Sequence, residues 1–162
     1  GFETSQSVWV MIGIFGILAV GPHMANQVPS VVGFVINSVC IFVMLVLGCH
    51  NVIYFNHATF VLTYLLLYGN DVNGVVYGKR VLGLMLGGIW VALCMYRNHR
   101  KTECKRRLKD VLQEFCLEST RSQWQIKLAL GVCLSMLVGE LLGLPRSMWI
   151  GIAAWEFWEE LV

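Results

Sequence analysis

From residue 8 to residue 47 the chain contains no Asp, Glu, Lys or Arg. An apolar run over 8–24 gives way to Asn26, Gln27 and Pro29, and a second apolar run covers 31–47, broken only by small or polar Gly33, Asn37, Ser38 and Cys40. Each run is about as long as the ~17–25 residues that a helix needs to cross the hydrocarbon core of a bilayer. They predict two membrane spans, the first ending at Gly21-Pro22 because proline cannot continue a helical ladder. Gly48, Cys49, His50 and Asn51 make a tight return, and 52–69 predicts a third span. Its polar positions Asn56, Thr59 and Thr63 recur at i, i+3 and i+7, and Phe60, Tyr64 and Tyr68 at i, i+4 and i+8 on the neighbouring face. The first line predicts hydrogen bonds between helices and the second an aromatic belt at the membrane interface, both ahead of a substrate path.

Asn70, Asp71, Asn73 and Gly74 carry turn chemistry, after which 79–96 predicts span four and 126–144 span five. A sixth apolar run begins near Trp149 and is cut short by Glu156, Glu159 and Glu160. Gly83 and Gly87 form G-x-x-x-G on span four, and Gly131, Ser135, Gly139 and Gly143 recur every fourth residue on span five. Lipid tails give helices no hydrophobic reason to associate, so small residues that let backbones approach mark packing faces.

Between the two apolar blocks lies 96–127, which holds most of the Lys and Arg. Within it Leu108, Val111, Leu112, Phe115 and Cys116 fall at i, i+3, i+4, i+7 and i+8, an amphipathic helix expected to cover the ends of the spans. Thr120 with Gln123, or Ser122 with Gln125, fits a capping box opening the next helix. Basic residues concentrate in short cytoplasmic loops, which places this segment and the N-terminus inside and the turns near Asn26 and Asp71 outside. The fold expected is all-α, a polytopic transmembrane helical bundle of about five full spans plus a truncated sixth. It divides into membrane helices (1–97), a basic cytoplasmic connector (98–124) and a second membrane segment (125–162).

Composition agrees: 57% of the 162 residues are hydrophobic and 14% charged, against about 25% charged in soluble domains. The net charge of +2 sits beside spans, which favours anionic lipid headgroups over nucleic acid as its partner. The six cysteines show no C-x-x-C and no His at zinc spacing, so neither a metal site nor a disulfide framework is expected. A first residue other than Met and a shortened last run read as a fragment of a longer chain.

Two stretches carry a family resemblance. The sequence R-V-L-G-L-M-L-G-G over 80–88 resembles the R-x-x-G-T-x-x-G-G/A signature that closes the membrane half of the fusaric acid resistance (FUSC) proteins, which are similar to the aromatic acid exporters. The segment 126–154, with L-A-L-G-V at 128–132 and G-L-P-R-S-M-W-I-G-I-A-A at 143–154, resembles the helix that opens such a half. Leu84 stands where the motif usually has Thr, and W-E-F-W-E-E-L-V replaces the apolar continuation. The order, an ending signature, a connector and then an opening signature, is what two tandem halves would give. The resemblance implies an exporter of small organic anions, aromatic ones included, in a bacterial plasma membrane, with no cofactor.

Arg80 and Arg146 are expected at the outer ends of spans four and five with Glu140 about one turn from the end of span five. Guanidinium groups bind carboxylates in a fork, and a carboxyl within a span marks a substrate or proton path when it is not simply near headgroups. Tyr64 and Asn56 on span three complete the candidate substrate site. A non-transporting scaffold built on the glycine lines stays open beside the transporter, as does a homo-oligomer. An enzyme ranks last, because the chain has no H-E-x-x-H, no G-x-x-x-x-G-K and no Ser-His-Asp order with supporting spacing.

Overall fold

The computed structural model describes residues 4–48, 56–99, 120–144 and 148–160. They form six helices: α1 (Thr4–Asn26), α2 (Ser30–Gly48), α3 (Asn56–Gly69), α4 (Gly74–His99), α5 (Thr120–Leu141) and α6 (Met148–Glu160). Four stretches are long and apolar enough to cross a membrane, Val8–Asn26, Ser30–Gly48, Gly74–Cys94 and Ser122–Leu141. The expected third span, 52–69, overlaps α3, of which 14 residues are described, with 49–55 outside the described residues. Among the described residues four helices reach span length, with α3 and α6 shorter. The amphipathic connector helix lies in 100–119, outside the described residues.

Pro22 sits inside α1 instead of ending it. So near the C-terminus it removes one ladder bond, to the carbonyl four residues back. The last turn is anchored elsewhere: Asn26 Nδ2 donates to the Tyr68 carbonyl at 2.8 Å, and the Gln27 amide to the Met24 carbonyl at 3.2 Å. Pro29 then opens α2, its carbonyl accepting from the Gly33 amide at 2.9 Å. The hairpin is tight enough that a Cβ on Gly33 would lie 2.8 Å from the Ala25 carbonyl oxygen.

Helix α1 lies between α4 on one side and α2 and α3 on the other; α5 packs on α2, and α6 closes against α3 and α5. The core joins Ile14 and Leu18 of α1, Ile41 and Met44 of α2, Val61 and Leu65 of α3, Val132 and Met136 of α5, and Trp155 of α6. No described side chain of α4 belongs to that cluster. Outward, the surface is apolar in continuous helical lines: Val32, Val35 and Val39 on α2, Leu82, Leu86, Ile89 and Leu93 on α4, Leu130, Leu134 and Val138 on α5. Apolar lines running the length of several helices are far larger than the patches water tolerates, and they match a lipid environment.

The connections after α1, α3 and α5 gather at one end of the bundle. His23 and Asp71 meet across two of them, and the α3 terminus abuts α6, since a Cβ on Gly69 would collide with Met148. The end of α4 and the start of α5 lead into the undescribed connector at 100–119.

Candidate functional site

Tyr64 and Tyr68 recur every fourth residue of α3, and the structure turns that face into the bundle, where both are buried. The aromatic belt expected at the membrane surface is therefore core, with Phe60 edge-on to Phe15 at 6.3 Å between ring centroids. The bundle buries this face because α1, α2 and α6 all pack around α3. The Tyr64 hydroxyl donates to Asn37 Oδ1 at 2.8 Å, with Tyr64 fully buried and Asn37 3% exposed. The Tyr68 hydroxyl donates to Glu140 Oε1 and faces Asn37 as well. Cys40 lies against the Tyr64 hydroxyl. Gly21 makes that possible: a Cβ there would stand 3.0 Å from the Tyr64 ring and 3.1 Å from Cys40 Sγ. Ser38 Oγ is buried without a partner that meets hydrogen-bond geometry, its neighbour being the thiol of Cys133, a weak one.

The result is a polar line through the apolar interior, from Cys40 and Tyr64 past Asn37 and Tyr68 to the half-buried carboxylate of Glu140. Both phenols donate, one to a carboxamide and one to a carboxylate, so each hydroxyl proton has a defined acceptor.

A second polar group forms at the end where the connections meet. The His23 ring donates from Nδ1 to Asp71 Oδ1 at 3.0 Å, accepts at Nε2 from Gln27 Nε2 at 2.9 Å, and stacks on Tyr77 with 3.9 Å between centroids. Three of the carbonyls closing α3 are met: Leu66 by Asn70, Tyr68 by Asn26, and Leu67 by Arg80 Nη1 at 3.5 Å. Such partners hold the end of the helix together where its own ladder can no longer supply them. Gln125, expected in a capping box, does the same for α2: α5 already starts at Thr120, and Gln125 Nε2 donates to the Leu45 carbonyl at 3.3 Å.

The sequence-predicted site is thus only partly assembled. Arg80 and Glu140 bind different groups of α3, a backbone carbonyl and a phenol, and no ion pair joins them. Arg146 and the Asn56 side chain lie outside the described residues. Tyr64 is in the polar line, separated from Glu140 by Asn37 and Tyr68. Thr63 does not reach another helix but donates to the Thr59 carbonyl of its own at 2.6 Å, the usual outlet for a threonine hydroxyl inside a helix. Among the glycines, Gly83 and Gly87 meet nothing within 4 Å, and Gly88 beside them carries the approach, a Cβ there falling 2.7 Å from Phe15 Cγ. Gly139 is buried, while Gly131 is half-buried and its carbonyl accepts from Ser135 at 2.8 Å. Gly143 is off the packing line altogether. With φ at +64° it ends α5, its amide bonding the Glu140 carbonyl and the Leu144 amide the Gly139 carbonyl, each at 3.0 Å; this is a Schellman closure, for which glycine suits the left-handed residue.

Asn37 was the residue that sequence reasoning passed over. Its signal was present, a lone carboxamide in the most apolar run, which a bundle must either pair or exclude. Among the described residues no group of three His, Cys, Asp or Glu side chains could hold a metal ion.

No protein-family model, curated protein or solved structure matches the chain. The fold and its interior define a class: the chain is a polytopic, all-α membrane protein.

Proposed function

We propose that this protein is an integral membrane transporter of the fusaric acid resistance type, exporting small organic anions, and that the line from Glu140 to Tyr64 is its ionisable path. The observation that carries this reading is a carboxylate hydrogen-bonded to a buried tyrosine inside a membrane bundle. Ionisable groups in spans are costly and mark substrate or proton routes. Arg80 supplies a cationic group at the bundle end, with one of its five N–H donors on the Leu67 carbonyl and the fork otherwise suited to a carboxylate. The motifs at 80–88 and 126–154 support the same class. The membrane is a bacterial plasma membrane in this reading, with the connector at 100–119 cytoplasmic and the three gathered connections outside.

Sidedness is tested by labelling. In a background without native cysteines, Asn73→Cys in intact cells reacts with an impermeant maleimide, and labelling only after the membrane is opened would reverse the topology.

Function is tested by flux of labelled benzoate from proteoliposomes. Arg80→Gln is expected to slow efflux about tenfold, since one charge-assisted contact is worth ~1.5–3 kcal/mol. Glu140→Gln, which cannot release a proton, is expected to flatten the pH profile. Wild-type flux no greater than in empty vesicles would leave the scaffold reading in place of the transporter.

A further inference from the structure

At the end opposite the gathered connections, α1 and α4 line an open groove of about 390 Å³, with Val8, Trp9, Ile12, Ile89, Leu93 and Tyr96 among its walls. That volume lies within the ~300–1,000 Å³ of small-ligand sites, yet its walls offer almost no polar atoms. An occupant must be apolar along its length.

The rim has a different character. Trp9 is 71% exposed and Tyr96 43%, and such half-polar rings settle at the headgroup level of a bilayer. Arg97 follows Tyr96 and stands four residues beyond Leu93, so it lies one turn further along the face that bounds the groove. Arg97 is exposed, and the sequence continues with Arg100 and Lys101 before the first acidic residue, Glu103. A groove that is apolar within, aromatic at its mouth and cationic just beyond has the profile of a single lipid: chain, interfacial region, phosphate.

We propose that this groove binds an acyl chain of an anionic glycerophospholipid, with Arg97 holding the headgroup phosphate. An anionic lipid fits because it joins in one molecule the two features present here, an apolar chain for the groove and a phosphate for the exposed Arg97 at its mouth. The inference does not depend on transport.

The test is native mass spectrometry of the purified chain released from detergent with phosphatidylglycerol or phosphatidylcholine of identical acyl chains. The wild type is expected to retain one phosphatidylglycerol about fivefold more than phosphatidylcholine, the factor of one basic residue near an anionic surface. Arg97→Gln should equalise the two lipids. Leu93→Trp, at a position already 54% exposed, should fill the groove and reduce retention of both. Equal retention of the two lipids by the wild type overturns the proposal. So does a phosphatidylglycerol preference that survives unchanged in both variants, since it would place the lipid on other basic residues.

Discussion

Gly88→Leu is expected to loosen α4 from the bundle and to lower stability by about 1–3 kcal/mol or more, the range for overpacking a tight contact. The reason lies in how α4 is held. It rests chiefly on α1 and adds no described side chain to the central core, so its attachment depends on a narrow interface. At Gly88 the α4 backbone lies against Phe15, and even a Cβ would come within 2.7 Å of Cγ and 2.9 Å of Cβ. Because Phe15 Cβ is fixed to the α1 backbone, rotating the ring does not make room, and the helices must separate. Gly83 and Gly87 provide the control. Nothing stands within 4 Å of either, so leucine there should leave the monomer as stable as before or slightly more so, glycine being the poorer helix former by up to ~1 kcal/mol. Equilibrium unfolding in mixed detergent micelles, with limited proteolysis of the 100–119 segment as a second readout, measures the difference. Equal losses at residues 83, 87 and 88 would show that α4 meets a further surface through its outer face.

A double substitution of Tyr64 and Asn37 is expected to cost less than its two single substitutions added together. Tyr64→Phe removes the only donor that Asn37 Oδ1 has at 2.8 Å among the described residues, and Asn37→Leu takes away the acceptor of a fully buried hydroxyl. Each single change takes from a buried polar atom its partner at 2.8 Å, a loss of up to about 1–3 kcal/mol in water-soluble proteins; the coupling inside membranes is smaller, ~0.6 kcal/mol on average and up to ~1.7. The Tyr64→Phe/Asn37→Leu pair removes both partners and leaves an apolar contact of similar volume, so the coupling should appear as a recovery of that size. Strict additivity, within ~0.3–0.5 kcal/mol, would mean that the bond adds nothing to the fold. The cycle also bears on function: a pair that stabilises strongly is a structural tie, whereas one that stabilises weakly is more readily remade as protons or substrate pass Glu140.

The class of this protein was legible in the chain because it depends on local quantities. Apolar runs of span length with turn residues between them reveal the four long helices, and no tertiary partner is needed to make an apolar run of 19 residues such as α2 helical in lipid. Boundaries were less legible. Pro22 predicts a terminator, but Asn26 is tied to α3 and keeps the last turn of α1 in place; α5 is already helical at Thr120, before its apolar run, and buries Ser122 and Gln125 against the bundle.

Partners were not legible at all, because periodicity gives the face of a helix and not what that face meets. The tyrosine line of α3 was correctly placed on one face, yet whether it lay at the membrane surface or in the core was decided by the helices around it. Likewise the sequence offered Gly83 and Gly87 as the packing pair on α4, and the position of Phe15 on α1 selected Gly88 beside them. Arg80 and Glu140 were near one level along the chain, but a helix has sides as well as height. α3 stands with a carbonyl toward one and a phenol toward the other. The sequence by itself determined an all-α membrane chain with an ionisable residue in a span. Only the tertiary structure decided that this residue, Glu140, ends a line of buried hydroxyl and amide groups, since hydrogen bonds of 2.8 Å between residues 27 positions apart depend on helix packing and not on spacing.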